Sequence, residues 1–152
     1  MQRRFALLIA VLAVPLAVPL PARPVMAKPY YATPAQVAAR FVADFAAQRA
    51  APMADYVARD ANMTVPLTPA GPQVLRGRAQ TSGYFSQLFA KYARIELSGV
   101  TITPAADGQT VFVEALARYT TAAGASHRVG NVWAMVVKRG QIVGSRSYSI
   151  PE

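Results

Sequence analysis

Few side chains in this sequence are able to carry acid–base, nucleophilic or metal chemistry. The 152 residues include one histidine, His127, seven acidic residues and no cysteine. A protein metal site needs several imidazole, thiolate or carboxylate ligands at close spacing, and the carboxylates here are scattered along the chain. No glycine-rich phosphate loop follows a predicted strand. We therefore expect neither a metal ion nor a cofactor, and a thiol enzyme is excluded.

The remaining polar candidates lie on or beside predicted strands. Asp60 precedes the extended segment T-V-P-L, where we expect it to cap or turn the chain. Arg146 and Tyr148 share one face of the last strand. Glu114 and Arg118 share a face of a longer strand, but four strand residues span about 13 Å, which is too far for a direct ion pair. Two further hydrogen-bonding side chains lie on extended segments: Thr64 and Asn131.

The first 27 residues have the pattern of a signal peptide. Arg3 and Arg4 precede an uncharged run over residues 5–20, and Val25 and Ala27 occupy the small-residue positions before a cleavage site. The uncharged run contains two prolines and is shorter than the roughly 20 apolar residues that a membrane anchor needs. We predict cleavage after Ala27, no stable membrane anchor, and a periplasmic or secreted protein.

The mature chain, residues 28–152, has the length of one domain. Loss of the three arginines of the signal peptide would leave 13 basic and 7 acidic residues, a net charge of +6. The basic residues are dispersed, whereas a nucleic-acid protein usually concentrates them on one face or helix. We therefore expect a solvated basic surface and no nucleic-acid partner.

The first predicted helix has three agreeing start signals. Thr33 can act as the cap, Pro34 suits the first helical position, and Gln36 completes a capping box. Apolar residues then recur about every four positions, Phe41 among them, which is typical of a helix with one buried face. The pattern predicts a helix that ends near Arg49.

Two more helices are predicted before the strand-rich half of the chain. The second begins at Pro52 and ends near residues 60–62, and residues 64–67 follow as an extended segment. The two prolines and one glycine within residues 67–73 favour a loop. The third helix follows Gly77 and places its aromatic residues on one side.

From residue 94 the apolar period changes from about 3.6 to 2, which is typical of strands. Short glycine-containing turns separate the segments. The predicted strands cover residues 95–103, 110–121, 127–137 and 142–150. The sequence therefore predicts an α+β domain in which three N-terminal helices pack on a curved, mainly antiparallel sheet.

The strand over residues 127–137 is apolar on both faces. One face carries Val132 and its alternate neighbours, and the other carries Trp133 and Met135. An antiparallel sheet with one wet face should instead alternate apolar and polar residues. Because the helices can cover one face only, we expect a second copy of the chain to cover the outer face, taken to be that of Trp133, in a homodimer.

Four sequence segments together resemble a known superfamily. They are A-R-F in the first helix, R-D-A-N-M-T-V-P, G-R-A-Q-T-S-G-Y-F and R-G-Q-I-V-G-S-R-S-Y. In order and spacing the chain is similar to nuclear transport factor 2-like proteins, on the side of the SnoaL-like polyketide cyclases and ketosteroid isomerases. The resemblance covers residues 36–148 and implies a cone-shaped roll with a pocket between helices and sheet.

The same resemblance implies where catalytic groups would lie. The helix-one tyrosine of the ketosteroid isomerases falls on Phe41, their general base on Val65, and their oxyanion-binding aspartic acid on or beside Val132. Hydrocarbon side chains at these positions cannot move a proton, so we do not expect that isomerisation. Related dehydratases use an Asp–His pair, but His127 is predicted on the face opposite Val132, exposed or at the dimer interface.

Three functions stay open at this point. The first is binding of a small hydrophobic molecule in a pocket lined mainly by apolar side chains. Its predicted lining residues are Phe41, Phe45, Val65, Val132, Arg146 and Tyr148. The second is a lyase, cyclase or isomerase with a rearranged site that draws on Tyr148, Arg146, Asp60 or Glu114. The third is an assembly module whose interior is filled by its own side chains.

Overall fold

A computed structural model of the protein describes residues 31–68 and 71–151, so the predicted signal peptide lies outside the described residues. Within these ranges no helix is both long and apolar enough to cross a bilayer. The elements, in chain order, are α1 (Pro34–Ala46), α2 (Ala50–Asp55), β1 (Val57–Thr68), β2 (Gly71–Arg76), α3 (Gly77–Ala90), β3 (Arg94–Pro104), β4 (Thr110–Thr120), β5 (Ser126–Lys138) and β6 (Gln141–Pro151).

Helix α1 begins where its capping signals predict. The Gln36 amide N–H donates to the Thr33 hydroxyl at 3.3 Å, and the Gln36 side-chain oxygen accepts from the Thr33 N–H at 2.9 Å. The helix ends at Ala46, before the predicted Arg49. Gln48 there has a positive φ of 56°, and its amide group donates to the Tyr92 carbonyl at 2.9 Å. This long-range bond holds the chain in a turn.

The six strands form one sheet in the order β2-β1-β6-β5-β4-β3. Strands β3 to β6 are an antiparallel meander, as predicted. Strand β1 pairs antiparallel with β2 and parallel with β6. The α+β class and the mainly antiparallel sheet are therefore confirmed, with two more strands than the meander alone.

The prediction of three helices ahead of the sheet is wrong. Helix α2 ends at Asp55, so residues 60–62 lie in β1, and part of the predicted loop over residues 67–73 belongs to the β1–β2 hairpin. Pro72 is tolerated because β2 is an edge strand, and Pro66 because the pairing of β1 with β2 shifts register between Val65 and Thr68. Helix α3 thus follows two strands.

The helices cover the opposite face of β5 from the predicted one. Helix α1 packs on β3, β4 and β5, and α3 packs on β1 and β2. Trp133 is 5% exposed beneath the helices, and its ring centroid lies 5.5 Å from that of Phe45. Val132 is half-buried on the outer face. The interpretation of the Trp133 face as the outer, self-associating one is wrong, because alternation separates two faces without saying which is covered.

Strand β2 runs directly into α3 through a tight junction at Gly77. Gly77 is buried with φ +70°, and a Cβ atom there would overlap the backbone carbonyl of Arg59 in β1. Next to it, the Arg78 side chain donates to the Val57 carbonyl at 2.6 Å. The Thr81 hydroxyl donates to the Gly77 carbonyl at 2.9 Å. The junction therefore fixes α3 against β1 through backbone contact.

Candidate functional site

Three of the six predicted pocket residues lie between the helices and the sheet. Phe41 and Phe45 are buried on α1, and Val65 is buried on β1 at 2% exposure. All three belong to the main hydrophobic core. These residues are apolar and recur at the spacing of one helix face or one strand face. That face of each element is buried, as the spacing predicted.

The other three predicted pocket residues lie on the outer face of the sheet. Val132 on β5 is directly opposite Tyr148 on β6, and Arg146 is opposite Ala134, the next outward residue of β5. Tyr148 is 54% exposed. The six residues therefore do not line one pocket, because Val132 and Trp133 point to opposite faces of the pleat.

Aromatic side chains fill the space between the helices and the centre of the sheet. The Phe85 ring of α3 contacts the rings of Phe41 and Phe45 edge to face, with centroids 5.8 and 6.0 Å apart. Phe45 also meets Phe89 at 5.5 Å. Edge-to-face pairs at these distances are attractive. They join α1 and α3 over the sheet.

A ring stack lies at the end of the interior where β4 turns into β5. The His127 ring stacks on Tyr119 with centroids 5.3 Å apart and an interplanar angle of 14°. Tyr92, just after α3, contacts Tyr119 at 4.9 Å and His127 at 5.6 Å. His127 is exposed, as expected, but it lies on the helix side of the sheet. The aromatic rings at this end of the interior therefore reach the protein surface at His127.

A buried amide completes the same region. Asn131 is 5% exposed, hydrogen-bonds with the Tyr119 side chain, and accepts from the Ser149 hydroxyl at 2.8 Å. We call Tyr92, Tyr119, His127 and Asn131 the ring–amide cluster. Buried polar groups are normally paired, and here they pair with each other. The cluster offers hydrogen-bond donors and acceptors beside flat apolar rings.

Burial raises the pKa of Tyr119 to about 12, against the opposing effect of its hydrogen bond with Asn131. Nearby Tyr84 and Tyr92 raise it further. Burial likewise raises the pKa of Tyr84, and Tyr92 adds to that shift. The phenols of Tyr119 and Tyr84 therefore stay protonated at neutral pH and can donate hydrogen bonds.

The raised pKa of Tyr119 predicts a loss of stability at high pH. The unfolded chain loses this proton near the ordinary value of about 10, before the folded chain does. The stabilisation is therefore complete below about pH 10 and is lost as the pH rises to about 12. We expect the free energy of unfolding in urea to fall by about 2 kcal/mol more in the wild type than in Tyr119→Phe across that window. Parallel losses in both chains would contradict the assignment.

The other polar candidates from the sequence are on the surface. Asp60, Glu114 and Arg118 are exposed, and Thr64 is half-buried on the outer face. None of these four contacts the ring–amide cluster through a described hydrogen bond or ion pair. A site built from these residues would therefore lie outside the helix–sheet interior.

Sequence reasoning missed the buried carboxylate Asp44. It is 3% exposed on α1, forms an ion pair with Arg49, and accepts from the Tyr56 hydroxyl at 2.9 Å. Its position three residues after Phe41 on the apolar stripe was the available signal. Because both partners come from or beside α2, Asp44 ties the first two helices together.

Asn131 was named from the sequence as a hydrogen-bonding side chain on a strand, but its burial beneath the helices was not predicted. The resemblance placed an oxyanion-binding position on or beside Val132, and the structure turns Asn131, not Val132, toward the helices. An amide can donate to an oxygen that gains negative charge, as valine cannot. The available signal for its burial was Trp133, which lies on the same strand face as Asn131. Trp133 has the largest apolar side chain on β5 and therefore favours the face that the helices cover.

A surface cleft of about 560 Å³ lies away from this interior, at the start of α1. Its walls are residues 31–34, Gly108, Gln109 and the β5–β6 turn at residues 137–140. Lys138 and Arg139 make this rim basic. The cleft is wide and shallow, whereas small-molecule sites usually enclose their ligand.

Comparison with known proteins gives a consistent result. A sequence profile of the SnoaL-like domain family matches residues 38–145. The search of curated proteins gave no significant match. The profile begins within α1 and ends within β6, and therefore includes most of both helices that close the interior and the strands that carry the ring–amide cluster.

Solved structures share the fold at low identity. A proposed isomerase from Bacillus subtilis has a TM-score of 0.67 at 19% identity, over 76% of this chain and 84% of its own. A proposed polyketide cyclase from Pseudomonas putida has a TM-score of 0.67 at 17% identity, over 77% of this chain and 91% of its own. A nuclear transport factor 2-like protein from Anabaena variabilis has a TM-score of 0.66 at 18% identity, over 84% of this chain and 96% of its own. Identities this low show a shared fold and carry no activity.

Proposed function

Because the chain belongs to the SnoaL-like domain family, we propose that it binds a small, largely apolar molecule at the hairpin end of its helix–sheet interior. The observation that supports this proposal is the ring–amide cluster, in which Tyr119 and Asn131 are buried and His127 is exposed. Ligand sites in proteins combine aromatic walls with a few convergent polar groups. The exposed His127 ring is the part of the cluster that a molecule from solvent would meet first.

The chemistry of the cluster favours a flat ring that carries one oxygen. Tyr92, Tyr119 and His127 offer stacking and edge contacts, each worth about 0.5–1.5 kcal/mol beyond the area that they bury. The Asn131 amide and the Tyr119 phenol can bond a carbonyl or hydroxyl oxygen on that ring.

An enzymatic alternative rests on His127. Its stack on Tyr119 lies on the helix side of the sheet, where a histidine could act as a base toward a bound ligand. Phe41 and Val65 remain hydrocarbon at the isomerase positions. The buried carboxylate Asp44 is engaged by Arg49 and Tyr56. We favour binding because Asp44 is the one buried carboxylate among the described residues, and its bonds to Arg49 and Tyr56 keep it from pairing with His127.

We also propose that the protein is exported, cut after Ala27, and dimeric through the outer face of the sheet. Phe112, Tyr148 and Ile150 are 41, 54 and 65% exposed on that face. Exposed apolar residues grouped on one face are typical of an association surface. Val132 and Tyr148, which do not face the interior, belong to this surface.

Native mass spectrometry of the protein from a bacterial periplasm tests these proposals together. We expect a dimer, a mass that begins at Lys28, and a stoichiometric small-molecule adduct. His127→Ala should lower affinity for an added aromatic alcohol, 2-naphthol, about fivefold, since one ring contact is worth about 1 kcal/mol.

Tyr31→Ala is the matched control, because it removes an exposed aromatic ring from the surface cleft at the start of α1. Unchanged binding in Tyr31→Ala with weaker binding in His127→Ala would support the cluster. The reverse pattern would move the ligand to the cleft. If binding is intact but turnover of the adduct is seen and is lost in His127→Ala, the enzymatic alternative is correct.

A further inference from the structure

A row of charged side chains crosses the outer face of the sheet near the β4–β5 turn. Arg118 on β4 lies directly opposite Glu96 on β3 and Arg128 on β5. Side chains that face each other across an antiparallel pair are close, and like charges at such positions are destabilising. The two arginines therefore repel each other unless an anion lies between them.

The protein itself does not neutralise these arginines. Glu96 forms its ion pair with Arg94, at 2.9 Å. Within residues 31–68 and 71–151, no acidic side chain forms an ion pair with Arg118 or Arg128. Glu114 shares the face of Arg118 but is four strand residues away, about 13 Å. Three arginines and one glutamate leave a local charge of +2.

A cleft of about 330 Å³ lies at this charged row. It is lined by Glu96, Leu97, Ser98, Leu116, Arg118 and Arg128. The two arginines supply planar guanidinium groups, which match the oxygens of a phosphate in paired hydrogen bonds. Leu116, two residues before Arg118 on the same face of β4, supplies an apolar wall. The cleft therefore combines a strong anion-binding edge with room for a small carbon body.

We propose that this cleft binds the phosphate group of an organic phosphate between Arg118 and Arg128, with the carbon part against Leu116. A phosphomonoester carries a charge near −2 at neutral pH, which balances the local charge. A carboxylate would balance only half of it. The site lies on the opposite face of the sheet from the ring–amide cluster and is independent of the ligand proposed there. It shares the outer face with the proposed dimer surface but lies nearer the β4–β5 turn than Phe112, Tyr148 and Ile150.

The test compares unfolding of the full chain in urea with and without inorganic phosphate, at a pH above the second phosphate pKa and at constant ionic strength set by chloride. Phosphate should raise the unfolding midpoint of the wild type, since a ligand that binds only the folded state stabilises it. Arg128→Gln should lose at least tenfold in phosphate affinity. In chloride alone at low ionic strength, the same variant should be slightly more stable than the wild type, because the repulsion is gone.

Arg146→Gln is the matched control. It removes one exposed arginine from the same face, opposite Ala134 and about 20 Å along the sheet from Arg128. The proposal requires that Arg146→Gln respond to phosphate like the wild type. The proposal is overturned if phosphate raises the unfolding midpoint of Arg128→Gln as much as that of the wild type. It is also overturned if chloride of equal ionic strength raises the wild-type midpoint by the same amount.

A second arm identifies the source of the phosphate. Glycerol phosphate represents a soluble organic phosphate, and phosphatidylcholine vesicles with phosphatidic acid represent a lipid headgroup. Tighter binding of glycerol phosphate than of inorganic phosphate, lost in Arg128→Gln, would assign a soluble ligand. Sedimentation with the vesicles that is lost in Arg128→Gln and kept in Arg146→Gln would assign the headgroup. If Arg128→Gln binds glycerol phosphate and sediments with the vesicles as the wild type does, the cleft is not a phosphate site.

Discussion

Gly77→Ala is expected to destabilise the folded chain by about 2–5 kcal/mol. Two costs add at this residue. A side chain in the left-handed region costs about 1–2 kcal/mol, and φ is +70° here. The new Cβ would also overlap the Arg59 carbonyl in β1, and forcing atoms into a packed site costs about 1–3 kcal/mol. The obstructing carbonyl belongs to the backbone, so rotation of a side chain cannot remove the overlap.

Gly108→Ala separates the two costs. Gly108 has nearly the same φ, +67°, but an added Cβ there meets nothing within 4 Å. This control should therefore lose only about 1–2 kcal/mol. Urea unfolding at neutral pH, followed by circular dichroism, measures both variants. Equal losses at the two glycines would show that α3 moves away from β1 at no cost, contrary to the junction described above.

Phe45→Ala is expected to cost about 3–5 kcal/mol, the range for removal of a buried phenylalanine. Phe45 is 2% exposed and contacts three rings, those of Phe85, Phe89 and Trp133. Truncation leaves a cavity at the point where α1, α3 and the sheet meet. The quenching or shift of Trp133 fluorescence reports the change locally, and chemical denaturation gives its free energy.

Two comparison variants sharpen the Phe45 result. Phe45→Leu keeps most of the volume and removes the ring contacts, so it should lose about 1–2 kcal/mol. Tyr31→Ala truncates an aromatic residue that is 48% exposed and should change stability by less than about 1 kcal/mol. A loss in Phe45→Ala no larger than that in Tyr31→Ala would mean that the aromatic interior is not tightly packed.

Local signals were sufficient for much of the fold. The capping box at Thr33 and Gln36 gave the start of α1 to the residue, and the period-2 segments gave the four strands of the meander. The β1–β2 hairpin was not predictable in this way. Pro66 and Pro72 argue against strands by local rules, and only the edge position of β2 and the shifted register make them acceptable.

The candidate site depended on information that no single segment contains. Burial of Phe41, Phe45 and Val65 follows from their apolar spacing. The inward direction of Asn131 does not, because β5 is apolar on both faces and either could have met the helices. The stack of Tyr119 on His127 needs the pairing of β4 with β5, and the contact with Tyr92 needs the end of α3 to reach that hairpin.

The position of β6 has a consequence for how the chain acquires its structure. The last strand of the domain is inserted between β1 and β5, so without it the sheet is two separate parts, β2 with β1 and β5 with β4 and β3. Contacts between strands so far apart in sequence make folding slow. A chain still being synthesised therefore cannot close its sheet until β6 has emerged.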